Sequence, residues 1–358
     1  MCFKIALLGD ISYNGLICSQ PHLNEDRYSE IAPILSVMDL VIANFESPIR
    51  SGPYVNEFKS VHYSTEMSVA RALLKNHNIG CVSLANNHIF DYKIDGLRAT
   101  IQVLDELNIS HTGAGWNPSH IEPVLITIGQ HKVGFIAYVD VSTNPETEPF
   151  EDLYINYLEI EKIKHDISQI RDKVDILICS LHWGEDYSFY PTKQQVEIAN
   201  DLISSQVDII MGHHPHTMQP FEKKGDAHIF YSLGGLTYGD DYIEGRLRAL
   251  KVKTKQAFIP VFSGLKSPPQ FIAIRELPGN KIIIEDRDAE LWADRKWKIT
   301  KLQHRYKIVS LWISFEEKVL NRIYEFLWGY YRRGFYEIMN YENLKRATRK
   351  LVRFERNA

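Results

Sequence analysis

The sequence predicts an α/β protein in which short buried strands alternate with helices. Three observations lead there. Apolar runs of five to seven residues recur before residue 212, and segments of helical periodicity lie between them. Each of the best-defined runs also ends in Asp, Asn, Glu or His. Runs this short and apolar read as strands covered on both faces, as in parallel sheets. In open α/β sheets ligands bind outside the carboxyl ends of the strands, so polar strand ends mark a site.

The elements follow in order. Residues 3–9 form a first strand ending at Gly9-Asp10, and 39–43 a second ending at Asn44-Phe45-Glu46. Residues 79–84 form a third ending at Asn86-Asn87-His88. Residues 174–180 run into His182-Trp183-Gly184, and 207–211 into Gly212-His213-His214-Pro215-His216. Helical patterns cover about 26–38, 65–77, 93–107, 158–172 and 192–205, with Asp91 the expected N-cap of the third. Five polar strand ends are expected around one rim. From 217 to 285 the pattern turns hairpin-like, which predicts a second, largely antiparallel sheet.

Composition is ordinary for a globular chain, 44% hydrophobic and 24% charged over 358 residues. Cys2, Cys18, Cys81 and Cys179 show no C-x-x-C spacing, and Cys81 and Cys179 lie in apolar runs, as expected in a reducing compartment. The N-terminus has no signal-type stretch, and no apolar run reaches the ~18 residues of a membrane helix. The expectation is a cytoplasmic protein. Residues 294–358 carry 16 Lys and Arg against 7 Asp and Glu, about +9, and the preceding residues carry about −13. This predicts a boundary near Asp294 and a basic, aromatic helical extension over 294–358. A helical cap on the main domain is the plain reading of it. Docking on a membrane surface, at the inner face of the membrane, is the sharper one; nucleic acid is disfavoured.

The motifs gain weight together. Gly9-Asp10 alone is an ordinary turn, and Asn44 and Glu46 two residues apart could both be caps. In extended backbone, however, i and i+2 point to one side, so Asn44 and Glu46 could face one ion, as could His214 and His216. Asn87 offers a neutral oxygen, and His88 a group titrating near neutrality. Three imidazoles in Gly212-His213-His214-Pro215-His216 favour either full exposure or a cation that holds them neutral, and imidazole suits Zn, Mn and Fe. Turn chemistry does not readily produce five such strand ends in one chain.

These stretches resemble the CapA family of poly-γ-glutamate capsule biosynthesis, within the calcineurin-like metallophosphoesterase superfamily. The resemblance rests on Leu8-Gly9-Asp10, Asn44-Phe45-Glu46-Ser47-Pro48-Ile49, Leu84-Ala85-Asn86-Asn87-His88-Ile89-Phe90-Asp91, His182-Trp183-Gly184-Glu185-Asp186-Tyr187, Gly212-His213-His214-Pro215-His216 and Tyr231-Ser232-Leu233-Gly234-Gly235. It implies a four-layer αββα sandwich over residues 1–293, with two divalent ions (Mn, Zn or Fe) at the sheet edge. It maps Asp10, Glu46, Asn87, His182, His214 and His216 to ligand positions, Asn44 to a ligand or supporting position, and His88 to the general acid. Ser12 stands where the superfamily's Asp-x-His has its His, and Gly235 where the family has Asn.

The implied function is metal-dependent hydrolysis or transfer on an anionic or peptide-like substrate, phosphoryl or acyl/amide, in capsule, polysaccharide or poly-γ-glutamate biosynthesis. Ser12 favours a second reading, a non-catalytic subunit of an envelope polymer-synthesis or export complex. A third is a CapA-like peptide epimerase, with Asp10 or a His as its base.

Overall fold

A computed structural model describes residues 3–145, 153–243, 246–248, 254–264, 267–277 and 279–305. In chain order its main strands begin with β1 (Ile5–Ser12), β2 (Leu40–Phe45), β3 (Ile79–Ser83), β4 (Ser110–Thr112), β5 (Val124–Ile128), β6 (His131–Val139) and β7 (Ile176–His182). They continue with β8 (Ile209–His213), β9 (Phe221–Lys224), β10 (Ala227–Phe230), β11 (Gly235–Tyr238), β12 (Gln256–Phe262), β13 (Gln270–Glu276) and β14 (Ile282–Glu285). The main helices are α1 (Met67–Asn76), α2 (Lys93–Glu106), α3 (Ile160–Ile170), α4 (Lys193–Ser204) and α5 (Ala289–Arg305).

Two sheets carry the fold. The first runs β14-β13-β12-β1-β2-β3-β4, with β11 pairing β1 from off this path. The second runs β9-β10-β8-β7-β6-β5. Strands β1 to β4 are parallel, as are β6, β7, β8 and β10; β11 pairs parallel with β1, and the remaining main strands extend the sheets antiparallel.

Side-chain alternation along the strands sets the layers. Ile5, Leu7, Ile42 and Cys81 face Phe135, Ile178 and Met211 in a core between the sheets. On the outer face of the first sheet, Leu8, Val41 and Val82 pack with Leu73, Leu97 and Ile101 of α1 and α2. On that of the second, Leu177, Cys179 and Ile210 pack with Ile163, Ile167 and Leu202 of α3 and α4. The result is the αββα sandwich that the resemblance implies. A capping box fixes the start of α4, Thr192 taking the Gln195 amide and the Gln195 side chain the Thr192 amide.

Of the five polar strand ends expected around one rim, three belong to the first sheet and two to the second. Several other expectations need correction. Apart from a two-stranded antiparallel ribbon, Asp241–Ile243 with Arg246–Arg248, the described part of the 217–285 region forms no sheet of its own. Its first strands lengthen the second sheet and its last ones the first, because each finds a parallel sheet edge to pair with. The helix expected over 26–38 is two short pieces, Asn24–Arg27 and Ala32–Leu35. Pro33 has no N–H to continue the earlier helix and starts a new turn instead. Strands β5 and β6 were not expected at all.

Helix α5 passes through the compositional change at Asp294 and packs on the main body. Trp292 meets Phe258 edge-on at 5.3 Å, and Trp297 stacks on Tyr231 at 5.5 Å. Residues 306–358 lie outside the described residues, and with them most of the aromatics behind the membrane-docking expectation. Among the described residues, no helix is long and apolar enough to cross a membrane.

One buried histidine far from the polar rim makes a testable contribution. His77 closes α1, its Nδ1 2.8 Å from the Tyr13 hydroxyl and its ring edge-on to Tyr28. Burial pushes its pKa down to about 3. In the unfolded chain it protonates near ~6.5. Between those values only the unfolded state takes the proton, so the stability His77 contributes is full above pH ~6.5 and lost as pH falls toward 3. Between pH 7 and 5, His77→Gln should therefore lose about 1–2 kcal/mol less than the parent chain, read from urea midpoints. Superimposable pH slopes would contradict this.

Candidate metal centre

Because β1 to β3 and β6 to β8 all point the same way within their sheets, their carboxyl ends carry the polar residues to one place. Register aligns them further: Asp10 pairs with Asn44, Asn44 with Ser83, and His182 with His213. Close approach of the backbone is required here. A Cβ on Gly9 would lie 1.8 Å from the Gly234 carbonyl oxygen, and one on Gly212 would lie 2.0 Å from that of Tyr231. The chain then bends sharply, with His214 at φ 93° and His216 at φ 55°. Positive φ in non-glycine residues costs on the order of 1–3 kcal/mol and persists where surrounding structure imposes it.

Asp10 is fully buried and surrounded by donors. Asn44 Nδ2 donates to its Oδ1 at 2.9 Å, and the His214 amide to its Oδ2 at 3.2 Å. His216 Nδ1 lies 3.0 Å from Oδ2. His213 Nδ1 lies 3.0 Å from Oδ1, and among the described residues neither ring nitrogen of this buried histidine has a full hydrogen-bond partner. Burial raises the Asp10 pKa, yet His213 and His216 outweigh it and hold the carboxyl well below its usual range.

Glu46 sits at the centre. Its Oε2 accepts from the Tyr238 hydroxyl. Its Oε1 is buried with no hydrogen-bond partner among the described residues, 3.8 Å from His182 Nε2 and 3.8 Å from His216 Nε2. The same His182 Nε2 is 3.0 Å from Asn87 Oδ1. His214 stands edge-on to His182 at 4.9 Å, and its Nε2 is 3.6 Å from the exposed Asp186 carboxylate. Among the described residues, Asp10, Glu46 and His216 bring ligand atoms within 4.8 Å of one another.

Burial, then Asp10, raises Glu46 to about 8. Burial opposes protonation of His216, but Glu46 and Asp10 raise it to about 9. Burial pushes His214 down to about 4 and His182 well below the ordinary histidine range. Asp10 and Glu46 thus favour a positive charge on His216, beside two imidazoles kept neutral. The donor set fits a divalent ion: hard oxygens, neutral ring nitrogens and one orphaned carboxylate oxygen aimed among them.

A second group borders this one. His88 Nδ1 is 2.6 Å from Asp91 Oδ2, which also accepts the Tyr63 amide at 2.7 Å. Lys59 Nζ pairs with Asp91 Oδ1 at 2.8 Å and donates to the Asn87 carbonyl oxygen. Among the described residues, His88 Nε2 makes no protein hydrogen bond. The Tyr63 ring lies 4.3 Å from His88 and 5.7 Å from Tyr238.

Every residue singled out from the sequence therefore lies in this cluster or against it. Asn44 differs in kind: its amide nitrogen faces Asp10 and His182, and its oxygen takes Asn86, so its atoms are spent on holding neighbours. Asp91 is not the cap of α2. Tyr92 occupies that position, and the Asp91 carboxylate turns to His88 and Lys59 instead. Lys59, Tyr63 and Tyr238 went unrecognised, because they lie on loops and a late strand with no motif around them. The His88-x-x-Asp91 spacing was the one signal that could have exposed a pair.

The fold and its site define an αββα sandwich with carboxylates and imidazoles gathered at its strand ends. The chain belongs to the bacterial capsule synthesis protein family PGA_cap, whose model matches residues 4–239. It is 27% identical over 231 residues to the capsule biosynthesis protein CapA of Bacillus anthracis, covering 62% of this chain and 56% of that one. It is 27% identical over 226 residues to the PGA biosynthesis protein CapA of Bacillus subtilis (strain 168), covering 62% and 59%. The chain thus spans a little over half the length of these relatives. Among solved structures it is similar to a hypothetical protein from Thermus thermophilus, with TM-score 0.47, 16% identity and coverage of 79% of this chain and 100% of that one. It is also similar to a 5'-nucleotidase precursor from the same organism, with TM-score 0.43, 12% identity and coverage of 85% and 59%.

Proposed function

We propose that this chain is a metal-dependent hydrolase or transferase acting on a phosphoryl or acyl/amide substrate in capsule or poly-γ-glutamate synthesis. The observation that carries the reading is Glu46 Oε1, a buried carboxylate oxygen without a hydrogen-bond partner, 3.8 Å from the Nε2 atoms of both His182 and His216. An orphan of this kind is costly unless a cation uses it. Asp10, Glu46 and His216 would hold one ion, and Asn87, His182 and His214 would hold a second. When bound, divalent ions of this kind supply Lewis acidity toward a phosphoryl or carbonyl oxygen and toward water.

The chain's own contribution to proton transfer is His88. Asp91 and Lys59 fix its Nδ1 side, which leaves Nε2 to face a substrate. Burial lowers its pKa, with Asp91 pulling the other way, so the free protein favours the neutral imidazole. Nε2 then takes up a proton from solvent, which an anionic substrate favours, and gives it to the leaving group.

Ser12 supports a second reading, that of an accessory subunit in a polymer-synthesis complex. Its buried hydroxyl has no hydrogen-bond partner and stands where the superfamily carries a ligating histidine. One experiment separates the two readings. Metal content of the purified full chain, by anomalous scattering, is measured beside turnover of phosphomonoesters, phosphodiesters and γ-glutamyl peptides. The enzyme reading expects bound metal and turnover of at least one class; metal without turnover of any class favours the accessory subunit.

A further inference from the structure

Tyr238 ends β11, the short strand that runs beside β1, and its register partner is Ser12. The place without an imidazole is thus the place where a phenol enters the site. Tyr238 is 2% exposed, and its ring lies edge-on to His216 at 4.7 Å. Its hydroxyl donates to Glu46 Oε2. Burial, then the Glu46 and Asp10 carboxylates, keeps the phenol well above the ordinary tyrosine range, so it remains a donor.

The backbone of Tyr238 is clamped from behind. Its N–H donates to Glu276 Oε2 at 3.2 Å, and Asn280 Nδ2 donates to its carbonyl oxygen at 2.9 Å. Glu276 pairs in turn with the buried Lys255, which also holds Asp240 Oδ1 at 2.9 Å. Buried ion pairs are weak contributors to stability but can hold a geometry. Here the geometry they hold is that of Tyr238.

We propose that Tyr238 is a positioning residue that makes Glu46 a one-oxygen ligand, tying down Oε2 so that Oε1 alone faces the ions, from the strand position opposite Ser12. The inference rests on the metal-centre reading. Groups that orient a ligand in this way are worth about 10–100-fold in metal affinity.

The test titrates Mn²⁺ into the full-length parent chain, Tyr238→Phe and Tyr28→Phe, followed by electron paramagnetic resonance and circular dichroism. Tyr28→Phe is the control: it removes a buried hydroxyl bonded to Thr237, next to Tyr238 in the same strand. Tyr238→Phe should bind Mn²⁺ about 10–100-fold more weakly, with an altered spectrum and an intact fold. Tyr28→Phe should stay within about twofold of the parent. If Tyr238→Phe does not fold, Asn280→Gly serves instead. It keeps the left-handed backbone (φ 66°) and removes the donor to the Tyr238 carbonyl, and several-fold weaker binding is expected. Unchanged Mn²⁺ binding in the variant, or equal weakening in Tyr28→Phe, overturns the proposal while the metal centre stands. A parent chain that binds no Mn²⁺ overturns both.

Discussion

His88→Ala should lower turnover by about 10²–10⁴ while leaving fold and metal content intact, the usual share of a positioned acid or base. The structure gives the reason for this separation. His88 touches Asp91 and Lys59 rather than the carboxylates of the metal cluster, so its removal takes away a proton carrier and no proposed ligand. His214→Ala should behave differently and lose metal as well as turnover. The check is steady-state kinetics on whichever substrate class the parent chain turns over, with metal analysis of the same preparations. Loss of metal in His88→Ala would place His88 among the ligands. Undiminished turnover would remove it from the chemistry.

Glu46→Gln should abolish the response of stability to metal and make the metal-free protein more stable. In the parent chain Glu46 and Asp10 are buried together, and each disfavours the charge of the other. A divalent ion relieves that repulsion, so Mn²⁺ at 100 times its dissociation constant should stabilise the parent chain by about 2.7 kcal/mol. The amide keeps the size of the side chain but removes the charge that attracts the ion. Urea unfolding of both proteins, in chelator and in Mn²⁺, reads the two effects separately. A Glu46→Gln chain stabilised by Mn²⁺ as strongly as the parent would show that the ion, if bound, sits elsewhere.

What was legible in the sequence was the set of strand ends, and the reason is local. A buried parallel strand is a short apolar run, and a ligand at its carboxyl end interrupts that run with a polar side chain. Asp10, Glu46, Asn87, His182, His214 and His216 all announce themselves in this way. Strand β6 had the apolar run, Val133 to Val139, with Asp140 directly after it, and it went unread although it lies inside the second sheet. Asp91 was misassigned because an acidic residue before a helix fits a cap as well as it fits a histidine partner.

By itself the sequence determined the α/β class, the residues that meet at the rim and the family to which the chain belongs. Only the tertiary structure decided how those residues divide their labour. Asn44 turns to Asp10 rather than to the open space beside Glu46, and one oxygen of Glu46 is taken by Tyr238, 192 residues away in the chain. Lys59 is committed to Asp91. Which atom of a carboxylate or imidazole remains free depends on partners brought in by distant strands. Periodicity and local spacing record which face a residue occupies, and they carry no information about what meets it there.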